Sequence, residues 1–229
     1  MFLVLKKKSI FMALFYVLLV VVSSCLLSTT QVKASADSHN FTVVLDAGLG
    51  GIDGGSCGKS GVFERDINLS VTNKIEKFLK TLNINVVQTR RTQDGLYGVF
   101  ASGFKMRDMK ARKQIIEDTN PDLVVSVHMN FFTNSSARGA QVFYKPNSEV
   151  SRILANDMQQ LFAKHLPNAR KTSSEGDFYM LTCTDTPGVL VEGGYLSNPE
   201  EESLLITETY QEKLAYQITC GIVRFFDLK

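Results

Sequence analysis

Residues 41–55 read FTVVLDAGLGGIDGG, a short apolar run that ends on Asp46 and enters a glycine-dense loop. The apolar run predicts a buried strand at 41–46, and helices and further strands follow along the chain. Glycines after a strand allow the backbone to approach a bound group closely. The stretch therefore predicts both the first strand of the fold and a functional site at its end.

Apolar strand-like runs alternate with amphipathic helical stretches from this point on. Further strands are predicted at 84–89, 122–127, 140–144, 178–182 and 188–192. Helices are predicted at 66–82, 106–119 and 149–165, then from Asn198-Pro199, and from a capping box at Thr209 to Phe226. The many charges of the 106–119 helix are expected to stay in solvent. This order predicts a single α/β domain with a mostly parallel twisted sheet of about six strands and helices on both faces.

The N-terminus has the features of an export signal. Lys6–Lys8 precede an apolar run from Ile10 to Val22, and Ala34-Ser35-Ala36 has the small-x-small form of a cleavage site. We predict a signal peptide at 1–36, a short linker at 37–40 and the domain at 41–229. An uncleaved anchor and a lipoprotein at Cys25 are the two alternatives.

Composition narrows the function classes. The 229 residues carry a formal net charge of +2, which provides no field for nucleic-acid binding, and no nucleic-acid partner is expected. Beyond the N-terminal segment, Cys57, Cys183 and Cys220 match neither a zinc-finger spacing nor a disulfide framework.

Polar residues cluster at the predicted carboxyl ends of the strands, where ligands bind in such sheets. They are Asp46 to Leu49, His128, Asn130 and Glu192, and Glu64 closes the loop after the first strand. A lone histidine at a strand end is often a hydrogen-bonded core residue, but carboxylates at the same edge favour a zinc hydrolase. Only two good ligands are evident, and the turn that should supply a third offers Asp46, Leu49 and Asp53.

Four motifs in order then give the chain a family resemblance. They are DAGLGG at 46–51, ERDINL at 64–69, SVHMN at 126–130 and VEGGYLSNP at 191–199. Together they resemble the zinc-dependent N-acetylmuramoyl-L-alanine amidases, over the whole of 41–226. Residues 107–112, 139–144 and 179–181 further resemble the germination-specific branch, which acts on spore-cortex peptidoglycan.

The resemblance implies a role for each motif residue. Glu64 and His128 would be zinc ligands and Glu192 the general base, with Asp46 and Asn130 supporting the ligands or contacting substrate. Ordinary capping of a strand end explains the presence of Asp46 and Asn130 as well as a functional role does. The family's first ligand is the histidine of the glycine-rich loop, and Leu49 occupies that position here.

The resemblance also implies a setting. Peptidoglycan is the expected partner, an accessory protein is a further one, and the membrane is involved only through the N-terminal segment. The expected location is outside the cytoplasmic membrane, in the cell wall or the spore intermembrane space.

Leu49 allows three interpretations. The chain could be a pseudoamidase that binds the cell wall or a partner without cleavage, an amidase with one inactivating replacement, or an amidase whose metal site is completed by Asp53 or Cys57. The intact Glu64, His128 and Glu192 favour the second. A glycosidase that uses Glu64 and Glu192 ranks last because it leaves His128 without a role. We predict weakened zinc binding and impaired hydrolysis that Leu49→His restores.

Overall fold

The computed structural model describes residues 41–227, so the predicted signal peptide at 1–36 and the predicted linker at 37–40 lie outside the described residues. The strands are β1 Thr42–Ala47, β2 Asn85–Gln88, β3 Leu123–Asn130, β4 Gln141–Tyr144, β5 Ser174–Glu175 and β6 Gly188–Tyr195. The helices are α1 Glu64–Thr81, α2 Phe104–Thr119, α3 Glu149–His165, α4 Tyr179–Thr182, α5 Pro199–Leu205 and α6 Glu208–Asp227. None of these described helices is long and apolar enough to cross a membrane.

The strands form one six-stranded sheet in the order β2-β1-β3-β6-β4-β5. Strands β2, β1, β3 and β6 are parallel, and β4 runs antiparallel to β6. The central strand β3 is buried from Leu123 to Val127, as a strand covered on both faces must be. The predicted α/β fold with a mostly parallel six-stranded sheet is confirmed.

Helices cover both faces of this sheet. Val43, Leu45 and Val125 belong to the larger apolar cluster, which includes buried residues of α1, α3 and α6. Val44 and Val124, which alternate with them, pack with Ile116 of α2 and Met180 of α4. Burying each such side chain contributes roughly 1.5–3 kcal/mol relative to exposure, so the alternation fixes which side of each strand faces which layer.

The same alternation collects the polar strand-end residues on one face. Asp46 of β1 lies opposite Ser126 of β3, and His128 of β3 lies opposite Glu192 of β6. Residues two apart in a strand share a face, so these side chains lie on the α2 side of the sheet at its carboxyl edge.

Several predicted boundaries need correction. The strand predicted at 178–182 is wrong: residues 179–182 form the short helix α4, and their buried residues Met180 and Leu181 pack from a single helical turn. The neighbouring strand is instead the two-residue β5. The capping box at Thr209 is also wrong: α6 begins at Glu208, and the Thr207 hydroxyl accepts a hydrogen bond from Tyr210 N at 3.3 Å. The predicted cap at Asn198, which accepts from Glu200 N and Glu201 N, is confirmed.

Candidate active site

Leu49 lies at the centre of the glycine-rich loop in an unusual backbone conformation. Its φ of 66° is in the left-handed region, which few side chains other than Asn, Asp and His adopt readily. A Cβ on Gly55 would lie 2.1 Å from Leu49 Cδ1 and 2.6 Å from Glu64 Oε2. Leu49 and Glu64 therefore pack over the same glycine, and the side chain at position 49 lies beside the carboxylate of Glu64.

The loop rests on a buried group of charges, which we call the arginine floor: Asp46, Arg90 and Arg112. Arg112 is 1% exposed, and its Nη1 donates to Asp46 Oδ1 at 2.6 Å and to the Ala47 carbonyl at 2.9 Å. Its Nη2 donates to the carbonyl of Leu49. Burial raises the pKa of Asp46, but Arg112 and the hydroxyl of Ser126 outweigh it and hold that pKa below its ordinary value.

Arg90 is the third member of the arginine floor. It is 3% exposed and donates to four backbone carbonyls, those of Ala47, Gly48, Arg65 and Thr92, at 2.8 to 2.9 Å. Burial is the main cause that lowers the pKa of Arg90, to about 10, so the side chain stays charged at neutral pH. The two arginines thus fix the loop through its carbonyl oxygens, which every residue type supplies.

The floor was not predicted from the sequence. The prediction that the charges of the 106–119 helix stay in solvent is wrong for Arg112 and Asp108, which are buried and joined at 2.6 Å. A sequence signal was present: Asp46 ends a buried strand, and a buried carboxylate requires a cation or several donors.

The side chains of Glu64 and His128 are in direct contact. Glu64 Oε1 lies 2.9 Å from His128 Nδ1, and Glu64 Oε2 accepts a hydrogen bond from Ser56 N at 3.0 Å. Buried Asn68 donates to the Gly48 carbonyl at 3.1 Å and lies 3.5 Å from Glu64 Oε1. Burial raises the pKa of Glu64, but His128 outweighs it, so the pKa of this carboxyl lies below its ordinary value.

The imidazole of His128 is surrounded by negative charge. A Cβ on Gly48 would lie 2.1 Å from His128 Nε2, so glycine is needed there for the ring to fit. Burial lowers the pKa of His128, but the bond to Glu64 and the charges of Glu64, Glu192 and Asp46 raise it above its ordinary value. Because Glu64 is already held by His128 and Ser56, it is not a free carboxylate, and a glycosidase that pairs it with Glu192 is disfavoured.

Glu192 is the third member of what we call the acid–imidazole cluster, Glu64, His128 and Glu192. Its Oε2 is buried and has no hydrogen-bond partner within residues 41–227. Burial raises the pKa of Glu192 to about 7, although the attraction of His128 lowers it. A carboxyl with that pKa gains and loses a proton near neutral pH, which suits general acid–base chemistry.

The remaining predicted residues lie at the edges of the site. Asn130 ends β3, and its Oδ1 accepts a hydrogen bond from Phe131 N at 2.8 Å, which is a capping role. Asp53 pairs with Lys105 at 3.2 Å, and Cys57 is exposed with its Sγ 3.5 Å from the Gly58 carbonyl. Neither forms a group with Glu64 and His128.

The donor set does not fit a catalytic zinc ion held by three protein ligands. Within the described residues, no group of three His, Cys, Asp or Glu side chains is placed to bind a metal. Glu64 and His128 are two adjacent donors, and the position beside them is occupied by the hydrocarbon side chain of Leu49. The interpretation in which Asp53 or Cys57 completes the metal site therefore finds no support in the arrangement of the described residues.

The site opens into a small cleft of about 150 Å³ between the loop and α2. Leu49 and His128 line one side, and Lys105 and Met109 line the other. A cleft of this size holds only a few substrate atoms, so most of a larger substrate must lie across the surrounding loops.

Comparisons with known proteins identify relatives along nearly the whole domain. Residues 43–224 match the N-acetylmuramoyl-L-alanine amidase family. The germination-specific N-acetylmuramoyl-L-alanine amidase of Bacillus subtilis is 32% identical over 191 residues, which cover 82% of this chain and 80% of that protein. The amidase AmiA of Escherichia coli is 27% identical, with 85% of this chain and 79% of that protein covered.

Solved structures of amidases are also similar to this chain. The CwlD amidase of Clostridioides difficile, solved in complex with the GerS lipoprotein, has a TM-score of 0.79 and 34% identity, and the match covers 83% of this chain and all of that one. The catalytic domain of the amidase CwlV from Bacillus (Paenibacillus) polymyxa has a TM-score of 0.72 and 32% identity, with 82% and 99% covered.

Proposed function

The chain belongs to the N-acetylmuramoyl-L-alanine amidase family, and we propose that its site binds peptidoglycan at the amide between N-acetylmuramic acid and the L-alanine of the stem peptide. We further propose that hydrolysis of this amide is impaired because Leu49 supplies no ligand. The observation that carries the proposal is the unpartnered, buried Oε2 of Glu192 beside His128. A buried acid without a partner costs folding free energy, and a role in proton transfer explains why it is kept.

Glu192 provides the proton transfers that amide hydrolysis needs. Water adds to the carbonyl carbon, the carbon–nitrogen bond breaks, and one proton moves from the water to the departing alanine nitrogen. Glu192 Oε2 accepts that proton and then donates it to the nitrogen, so the carboxylate is regenerated. Its pKa of about 7 makes both transfers accessible at neutral pH.

What the site lacks is a strong electrophile for the carbonyl oxygen. Stabilisation of the developing oxyanion is usually the largest single contribution to catalysis in acyl transfer. Glu64 and His128 are two zinc ligands by resemblance, and with Leu49 as neighbour we propose that they bind zinc weakly. Disturbing residues that merely support metal ligands typically costs 10- to 100-fold in affinity or activity, and loss of a ligand should cost at least as much.

The second candidate is a binding protein of the same fold, favoured by the hydrocarbon side chain at position 49. In this reading the cluster recognises peptidoglycan or a partner and releases no product. The two candidates share the ligand and differ in turnover, so one set of variants separates them.

The test compares the full-length wild type with Leu49→His. Histidine accepts the left-handed conformation of position 49 at least as well as leucine does. We expect the variant to bind zinc at least about 10- to 100-fold more tightly, measured by metal titration, and to release stem peptides from purified peptidoglycan. Leu49→Asn is the matched control, because asparagine adopts the same conformation but is a poor zinc ligand.

The outcomes are distinct. Glu192→Gln in the Leu49→His background should keep zinc binding and lose product release. Full activity of the wild type would disprove impairment, and a Leu49→His variant that binds zinc without releasing product would favour the binding protein.

The biological setting is proposed from the relatives. The germination-specific enzyme of B. subtilis supports a role in the spore cortex, and the CwlD structure with GerS supports an accessory partner for this chain as well. We propose export through residues 1–36 to the cell wall or the spore intermembrane space. Fractionation of sporulating cells tests the location, and co-purification from those cells tests the partner.

A further inference from the structure

The loop between β3 and β4, residues 131–140, crosses the end of the strand that carries Glu192. Strand β6 lies between β3 and β4 in the sheet. The loop leaves Asn130, two residues beyond His128, and returns at Gln141, which lies opposite Glu192. Both ends of the loop therefore lie next to the acid–imidazole cluster, at the β6 end of the site.

Two adjacent aromatic side chains on this loop are exposed to solvent. Phe131 is 50% exposed and Phe132 is 55% exposed. Two other aromatic residues that are similarly exposed contact a second ring: Phe100 lies 5.2 Å from Phe104, and Tyr216 lies 5.8 Å from Phe78. Within residues 41–227, no such ring contact involves Phe131 or Phe132. Two adjacent exposed apolar side chains beside a site mark a binding surface more than isolated ones do.

The loop backbone is held firmly, which an unstructured surface loop would not require. Phe132 N donates to Ser197 Oγ at 3.0 Å, and the Ser135 carbonyl accepts from Asn198 Nδ2 at 2.9 Å. Buried Glu201 accepts from Gly139 N and from Tyr195 N, both at 2.8 Å, and so joins the loop to the end of β6. The two phenylalanines are thus presented on a preorganised backbone, and ordering cost on binding is low.

We propose that Phe131 and Phe132 form a saccharide-binding surface, the aromatic rim, which binds N-acetylated amino sugar rings of the glycan strand. This inference rests on the proposed peptidoglycan substrate. Sugar rings carry apolar faces of C–H groups that pack on aromatic rings, and their hydroxyl and acetamido groups need polar neighbours. Ser135, Ser136 and Arg138 of the same loop line an open depression and supply such polar groups. The small cleft at His128 holds the amide, and the rim holds the sugar that precedes it.

Cosedimentation of the full-length chain with purified peptidoglycan sacculi tests the rim without any need for turnover. We expect the double variant Phe131→Ala/Phe132→Ala to bind sacculi about 10-fold or more weakly than the wild type, because each ring contributes an aromatic contact. Tyr216→Ala is the matched control: it removes an equally exposed aromatic ring, 54% exposed on α6, and should keep wild-type binding.

A second measurement identifies the ligand. The chain contains no tryptophan, so Phe132→Trp introduces a single tryptophan reporter and retains an aromatic ring at this position. We expect its emission to change on addition of an N-acetylglucosamine oligomer and to stay unchanged with free stem peptide.

The outcomes separate this inference from the proposed function. A wild type that does not bind sacculi overturns peptidoglycan recognition itself. Equal binding by the wild type and the double alanine variant overturns the rim alone. A Phe132→Trp signal with stem peptide and none with the saccharide overturns the assignment to sugar.

Discussion

The arginine floor and the acid–imidazole cluster lie on two sides of the same loop, and they differ in how completely their polar groups are bonded. Asp46 accepts hydrogen bonds from Arg112, Thr89 and Ser126 at 2.6 to 2.7 Å, and the arginines bond to the loop carbonyls. In the cluster, Glu192 Oε2 has no partner within the described residues and Leu49 faces Glu64. The floor has the properties of a structural network and the cluster those of a site.

The difference shows that loop shape and loop chemistry have separate causes. The floor holds backbone carbonyls, so the shape of the loop is independent of which side chain stands at position 49. Leu49 has a φ of 66° although this conformation is unfavourable for leucine. This is expected if the arginine floor determines the conformation of the loop. Replacement of one side chain can therefore remove a ligand while the rest of the site stays in place.

Among the predicted substitutions, one that disrupts the arginine floor should reduce the free energy of unfolding most. Arg112→Met leaves Asp46 and Asp108 buried without their cation, and removing one partner of a buried ion pair costs about 3–5 kcal/mol. Denaturant unfolding of the wild type and variant measures this loss. Lys113→Ala, on the same helix, breaks an exposed pair with Glu117 and should cost less than about 0.5 kcal/mol. A loss below about 1 kcal/mol for Arg112→Met would mean that the floor is not structural.

Replacing the Glu192 carboxyl group in the acid–imidazole cluster should instead increase the stability of the protein at neutral pH. Burial raises the pKa of Glu192 to about 7, above its ordinary value of 4.5. Below about pH 4.5 the group is protonated in the folded and unfolded states, and Glu192→Gln changes little. Between about pH 4.5 and 7 the unfolded state releases the proton while the folded state keeps it, so the wild type loses stability. At neutral pH the Gln variant should be more stable by up to about 3 kcal/mol.

Unfolding curves of both proteins across this pH range provide the measurement. His128 lies beside Glu192, so the difference between the two proteins is the readout rather than either curve alone. Glu149→Gln is a control of opposite direction: Arg152 lowers the pKa of Glu149, so this substitution should not stabilise the protein at neutral pH. A Glu192→Gln variant that is less stable than the wild type at pH 7 would show that the carboxylate has a structural partner.

The sequence predicted the site edge well because local patterns determine it. Buried strands such as Leu123–Val127 are recognisable from their apolar runs, and parallel strands bring their carboxyl ends together. Asp46, His128 and Glu192 could therefore be placed at one edge. The family resemblance, and not these patterns, identified Leu49 as the residue that departs from the motif.

The sequence signals that Asp46 needs a cation or several donors, but it does not identify the cation, because the pairing is long-range. Arg112 looks like any charged helix residue, and only the fold brings it to Asp46, 66 positions away in the chain. The short helix α4 was misread for a related reason. A brief apolar run suits a strand or one helical turn, and tertiary packing of Met180 decides between them.

The smallest predicted effect is at position 49 itself. Leu49→Gly removes a half-buried side chain, which costs roughly 1 kcal/mol of apolar burial. It also removes the penalty of about 1 kcal/mol for a leucine in the left-handed region, since glycine adopts a φ of 66° freely. The two effects should cancel to within about 1 kcal/mol in denaturant unfolding. Leu45→Ala, in the adjoining strand, should by contrast cost about 2–5 kcal/mol. A loss above about 2 kcal/mol for Leu49→Gly would mean that Leu49 packs the site closed as a structural residue, and the separation of loop shape from loop chemistry would fail.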